Sequence, residues 1–188
     1  MNRREAINRV ALVFGGTIIG GQLFLEGCTR PATKDVASLF EKNQTDFLGD
    51  IADTILPATK TPGAKEAGVG EFIPVMVRDC YTEQDQKTFM EGLTKIEEAS
   101  NKKYSKNFQQ LSAEERTALL IDLDKEQQEY QKNKKEGEPN HYFRMIKELT
   151  LLGYFTSELG ATKALRYNPI PGRYDGDIAY TKGDKAWA

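Results

Sequence analysis

Apolar residues in this chain recur at helical spacing, and no convincing pair of alternating segments competes with them, which confines the fold to helices packed on helices. Between Ala32 and Leu56 the residues Leu39, Phe40, Phe47, Leu48, Ile51, Ala52, Ile55 and Leu56 fall on one stripe, which Pro57 ends. Thr82-x-x-Asp85 and Ser112-x-x-Glu115 each set a hydroxyl where it can accept from an orphan amide, with a carboxylate in the first turn. The first pattern precedes Phe89, Leu93 and Ile96 and predicts a helix to about Lys102. The second precedes Leu119, Leu120 and Leu123, in a helix that turns strongly polar after Asp124.

Between these elements the composition shifts. Residues Ala58 to Gly70 are rich in Thr, Gly, Pro and Ala and read as a loop. The loop leads into a short apolar helix through Phe72, Ile73, Met76 and Cys80, with Pro74 expected in its first turn and Cys80 expected to be a buried small hydrophobe, a bond to a partner chain being the alternative. Lys125 to Pro139, mostly charged or amide residues, read as a solvated helix end and linker. From His141 to Leu159 apolar residues occupy more than one face, as in a helix buried among its neighbours or against another chain, and Gly160 is the expected stop. Beyond it, Arg166 to Gly176 combines Pro, Gly, Tyr and Arg in a segment that should be extended and irregular. The expected fold is therefore an all-α bundle of four or five helices with a long irregular C-terminal tail, residues 161–188, in a single domain over 29–188.

The first 28 residues read as an export signal. Arg3-Arg4 stand ahead of the apolar run Val10 to Leu25. An arginine pair in the basic segment points to the twin-arginine route, with an ordinary secretory signal as the alternative. As a helix that run would span roughly 24 Å, short of the about 30 Å hydrocarbon layer, so a permanent span is the weaker reading. Leu25-Glu26-Gly27-Cys28 resembles a lipobox, although Glu26 is unusual there. Lipidation of Cys28, plain cleavage and an uncleaved anchor all stay open; lipidation would tie the protein to a membrane surface.

Twin-arginine export carries folded proteins, often with a bound cofactor, yet the sequence offers little cofactor chemistry. It has no haem-attachment motif, no cysteine cluster and no dinucleotide fingerprint after a strand; the glycine pairs Gly15-Gly16 and Gly20-Gly21 lie inside the signal. His141 is the only histidine, which rules out a multi-histidine metal site and favours a packing or solvent role over catalysis. Asp50 and Asp53 could pair for acid–base work, but at that spacing a solvated helix face is expected. Asp175-Gly176-Asp177 is a fragment of a calcium loop without its other ligands, and the sequon at Asn43 reads as coincidence. Ahead of Cys28 stand three arginines and two glutamates, leaving 23 basic and 26 acidic residues, so no electrostatic footprint for nucleic acid exists.

What remains is the C-terminal concentration of aromatic and arginine residues, types favoured at the centres of protein interfaces. Binding a protein partner is the preferred reading. The alternative is a tail that folds back over its own helices.

The chain resembles the gluconate 2-dehydrogenase subunit 3 family. The resemblance is carried by Met1-Asn2-Arg3-Arg4-Glu5-Ala6, by Ile51 to Lys65 with Gly68-Val69, and by Asp79-Cys80-Tyr81. Most specific are Glu148 to Glu158, Leu165-Arg166-Tyr167 and Pro171-Gly172-Arg173-Tyr174-Asp175-Gly176. It implies a small non-catalytic subunit of a periplasmic dehydrogenase, partnered by a large subunit of the glucose-methanol-choline type that binds FAD and oxidises a sugar or sugar acid. It further implies electron transfer to a cytochrome c subunit or another acceptor, and a chaperone-like chain that supplies the export signal. No cofactor is expected in this chain. The docking surface is expected on the helix His141 to Leu159 and the tail, at Tyr154, Phe155, Arg166, Tyr167, Pro169, Pro171, Arg173 and Tyr174. A free-standing envelope lipoprotein that binds something else is the alternative.

Overall fold

Local capping chemistry sets the helix boundaries in the computed structural model, which describes Phe40 and residues 42–170, 172–173 and 176–187. The chain divides between Leu39 and Phe40, and all described residues belong to the second unit. They form α1 (Lys42–Ile55), α2 (Val69–Cys80), α3 (Glu83–Tyr104), α4 (Ala113–Asn133) and α5 (Tyr142–Thr156). The all-α class is as expected from the sequence. Arg3, Arg4 and Cys28 lie outside the described residues.

Thr82 Oγ1 accepts from the Asp85 N–H at 3.2 Å to start α3. At α4 the exchange is reciprocal: Ser112 Oγ accepts from Glu115 N–H at 3.2 Å, and Glu115 accepts from Ser112 N–H at 2.9 Å. The end of α2 is closed from outside the helix. Gln86 Nε2 lies 3.1, 3.0 and 3.2 Å from the carbonyl oxygens of Val77, Arg78 and Tyr81, taking up acceptors that a helix C-terminus leaves free.

α5 is the axis of the bundle, in contact with each of the other four helices. Its Phe143, Met145, Ile146 and Leu149 join Leu48 and Ile51 of α1, Ile73 and Val77 of α2, Phe89 and Ile96 of α3, and Leu119, Leu120 and Leu123 of α4 in one core. Phe108, in a short 3₁₀ turn between α3 and α4, is fully buried and meets Phe47 edge-on at 5.7 Å.

Several details differ from the sequence reading. The first helix starts at Lys42 and Phe40 precedes it, packing on the core from outside the helix. Pro74 is the sixth residue of α2, past the first turn, so it removes an amide that would otherwise bond within the helix. Cys80 is an exposed free thiol. The chain turns extended at Tyr81, and the Tyr81 ring, not the thiol, packs against the core.

α1 and α2 cross closely because glycines meet there. A Cβ on Gly70 would sit 2.6 Å from the Thr45 carbonyl oxygen and 2.9 Å from Gly49 N and Cα. The three atoms nearest a Cβ on Gly49 all belong to the flexible Lys65 side chain, the first at 3.4 Å. Gly70→Ala should therefore destabilise the fold by about 1–3 kcal/mol through forced separation of the helices. Gly49→Ala should be neutral or stabilise by up to about 1 kcal/mol through helix propensity. Urea midpoints of the two variants check the contrast, and equal losses would contradict the crossing geometry.

Candidate functional site

The residues free to meet another molecule are set by how α5 is started, buried and ended. His141 caps its N-terminus: Nδ1 accepts from the Phe143 N–H at 3.3 Å, and Nε2 lies 3.6 Å from Glu126 of α4. The imidazole is buried, with Tyr130 and Tyr142 at ring distances of 5.4 and 4.3 Å. Burial lowers its pKa; Glu126 opposes that shift and Lys95 reinforces it. The neighbouring Tyr142 phenol is pushed up to about 12, first by burial and then by Glu126. Lower on the helix, Lys147 binds Asp124 of α4 at 2.5 Å. Burial raises the Asp124 pKa, but Lys147, Gln127 and Gln128 outweigh it and hold the carboxyl below its usual range.

The C-terminal half of α5 is only half covered. Thr150 and Gly153 face inward, and the Phe72 ring occupies the space where a Gly153 side chain would stand, 2.6 Å from an added Cβ. On the opposite side Leu151, Leu152 and Phe155 are exposed at 43, 46 and 38%. They form an i, i+1, i+4 apolar strip that no other described residue covers.

α5 ends at Ser157, whose N–H reaches the carbonyls of Gly153 and Tyr154 at 3.1 and 3.2 Å. Its hydroxyl accepts from the Gly160 N–H at 2.9 Å, so one serine closes α5 and opens the π-helical turn Gly160–Ala164. Gly160 is thus not the residue that stops α5. It is required for a different reason: a Cβ there would lie 1.8 Å from the Tyr154 carbonyl oxygen. After the turn the chain leaves the bundle and returns. Arg166 N–H donates to the Ala186 carbonyl at 2.8 Å, the Arg166 guanidinium covers the Trp187 ring at 4.5 Å, and Asp184 lies 3.7 Å from it. The Lys185 ammonium donates to the Lys163 carbonyl.

The candidate interface residues fall into different settings. Phe155 is on the exposed strip, and Arg166, Tyr167, Pro169 and Arg173 are on the exposed or partly exposed tail. Pro171 and Tyr174 lie outside the described residues. Tyr154 belongs to the core: it is 4% exposed and its hydroxyl donates to the Pro62 carbonyl at 2.7 Å, pinning the α1–α2 loop to α5. It turns inward because it stands one position past Gly153 on the buried face, so any direct contact falls to its neighbours. Leu151 and Leu152, which the sequence reading did not single out, are exposed beside Phe155; their position off the Ile146–Leu149–Gly153 stripe carries that signal.

The candidate chemical groups have structural attachments. Asp50 accepts from Lys65 Nζ at 2.6 Å and Gln109 Nε2 at 3.2 Å, with Arg116 at 4.0 Å, tying α1 to the following loop, the 3₁₀ turn and α4. Asp53 accepts from the Lys65 backbone N–H at 3.4 Å. Gly68 and Gly70 bracket the start of α2 for different reasons: Gly68 takes a left-handed φ of 74° at the N-cap, and the face of Gly70 is filled by α1. Asp175 lies outside the described residues, and Asp177 is exposed. Among the described residues no group of three or more His, Cys, Asp or Glu could hold a metal ion, and no helix is long and apolar enough to cross a membrane.

Among the described residues the bundle thus leaves part of its central helix uncovered and carries exposed Tyr167, Ile178, Tyr180 and Trp187 on its tail. Residues 42–172 match the family Gluconate 2-dehydrogenase subunit 3, and the chain belongs to that family. The matched region runs from the first residue of α1 through the start of the tail. No curated protein and no solved structure matches the chain.

Because Nδ1 of His141 accepts a helix amide, only the neutral imidazole can cap α5. Its folded-state pKa is lowered, so the unfolded chain takes up this proton first. The stabilisation is complete above about pH 6.5 and is lost as the pH falls through the folded-state value. His141→Asn keeps a capping acceptor without a titrating group. Urea midpoints from pH 7.5 to 5.5 should decline in the wild type and stay flatter in the variant; parallel declines would assign the dependence to other groups.

Proposed function

We propose that this chain is a non-catalytic accessory subunit of a periplasmic, FAD-dependent sugar or sugar-acid dehydrogenase complex. It stabilises the folded flavoprotein, which is of the glucose-methanol-choline type, and supplies the twin-arginine signal that exports both chains together. FAD resides in the partner, and a cytochrome c subunit is the natural electron acceptor of such a complex. The N-terminus gives the complex a means of membrane attachment if Cys28 is lipidated.

Family membership supports an assembly with other dehydrogenase subunits. The observation that carries the docking role is the uncovered strip Leu151, Leu152 and Phe155 on the helix that organises the whole bundle. Apolar side chains presented together on a rigid helix can dock with little ordering cost, and burying them against a partner removes surface that is unfavourable in water. The ion-paired Asp50 and the capping His141 fit scaffold roles. Arg3-Arg4 supports export in the folded state.

Co-expression with the flavoprotein subunit tests the export role. Changing Arg3 and Arg4 to Lys should abolish most FAD-loaded dehydrogenase in the periplasm and leave it in the cytoplasm, measured by flavin absorbance and activity in each fraction. Unchanged periplasmic enzyme would remove the escort role. Separately, Leu152→Glu with Phe155→Glu should weaken co-purification of the flavoprotein at least about tenfold, because charge is forced into an apolar contact. The free subunit should stay folded with only a small fall in thermal midpoint, since both side chains are exposed although Phe155 also meets the Tyr154 ring edge-on at 5.1 Å. Undiminished co-purification would place the contact elsewhere.

A further inference from the structure

Besides the isolated Val75 and Ile121, the exposed apolar residues lie on the α5 strip and on the tail, where Tyr167 and Ile170 fall inside the region matched to the family and Ile178, Tyr180 and Trp187 fall beyond it. The strip on α5 is inside residues 42–172, whereas residues 177–187 are beyond them. Surface used in common by subunits of this family is expected within the matched region. An arm beyond it is free to serve requirements of this chain alone.

The arm is fixed at its base and free along its length. Its base is the Arg166–Trp187 contact, where a backbone hydrogen bond of 2.8 Å, a guanidinium–indole stack at 4.5 Å and the Asp184 ion pair at 3.7 Å act together. Ile178, Tyr180 and Trp187 are 59, 81 and 55% exposed, and none belongs to the core cluster. A tail that served only to cover its own helices would bury these side chains. Held at the base, the arm gives up less conformational freedom on binding than a loose terminus would.

Charge narrows the occupant. Asp177, Lys182, Asp184 and Lys185 cancel, and the last two are engaged at the base. A neutral arm bearing Ile, Tyr and Trp suits an apolar protein surface; an anionic membrane would call for an excess of basic residues. We propose that residues 177–187 form a specificity-determining docking arm that seats Ile178, Tyr180 and Trp187 on the dehydrogenase subunit of this chain's own complex, while α5 supplies the contact common to the family. This assignment rests on the accessory-subunit reading above.

The test uses the full-length chain, the purified dehydrogenase subunit of its own complex, and the corresponding subunit of a different complex whose small subunit belongs to the same family. Ile178→Ser with Tyr180→Ser should raise Kd for its own partner at least about tenfold, equally at low and high salt, and leave any binding to the foreign subunit unchanged. Arg166→Ala, which opens the base, should weaken binding to its own partner in the same direction. An unchanged Kd overturns the assignment. So does an equal loss against both subunits, which would make the arm part of the common surface. Selective loss of binding to anionic phospholipid vesicles, or of self-association in sedimentation, with Kd retained would assign the arm to a membrane or to a second copy and likewise overturn it. If the intact chain forms no complex with its own dehydrogenase subunit, the accessory-subunit reading itself fails; a retained complex with an indifferent arm removes only the arm's role.

Discussion

Burial of α5 on several sides at once is the constraint on which the structure depends. It packs against each of the other four helices, and Phe143, Ile146 and Leu149 reach the core with almost no exposed surface. A helix so placed must be apolar around most of its circumference and must find partners for its orphan ends away from bulk water. His141 serves one end and Ser157 the other. The same constraint explains the surface that remains. Four helices cover the N-terminal and central turns, and the final turns project Leu151, Leu152 and Phe155 where no fifth neighbour exists among the described residues.

Polar contacts in the bundle act mainly as ties between segments that apolar packing alone would leave free to slide. Asp50 receives Lys65, Gln109 and Arg116 from three different parts of the chain, and Gln86 gathers the terminal carbonyls of α2. Tyr154 reaches 92 residues back in sequence to hold the α1–α2 loop. Exposed ion pairs such as Arg78–Asp79 contribute little by comparison, because water screens them.

The helices were legible wherever local chemistry decided them. Thr82 and Ser112 cap as their spacing implied, and the polar run after Asp124 continues as helix to Asn133 before the linker. What could not be read depended on the approach of distant segments. Cys80 lies on the register of Ile73 and Val77, yet the helix ends there and Tyr81 takes the core position. Tyr154 and Phe155 look equivalent in sequence, and only the direction set by Gly153 against Phe72 makes one a core residue and the other surface. The return of the tail from Arg166 to Trp187 has no local signal, since a guanidinium–indole stack at that separation along the chain depends on a loop closure that composition does not encode.

Keeping an apolar strip in water is costly for a chain that functions alone. Leu151 and Leu152 occupy positions where Lys, Glu or Gln would favour the helix equally and remove an aggregation hazard, and the α5 core would be undisturbed because neither side chain is buried in it. The neighbouring positions show that polar residues are readily used there: Arg144 and Glu148 pair across one turn of the same helix at 2.7 Å. Helix stability therefore does not account for the two leucines. The proposed docking of a partner on this face would account for them, and an exposed Phe155 one turn farther on extends the same face. If the proposed export of a folded complex holds, a partner bound before transport would also shield this strip during the crossing, and the proposed signal and the uncovered face of α5 would then serve one requirement.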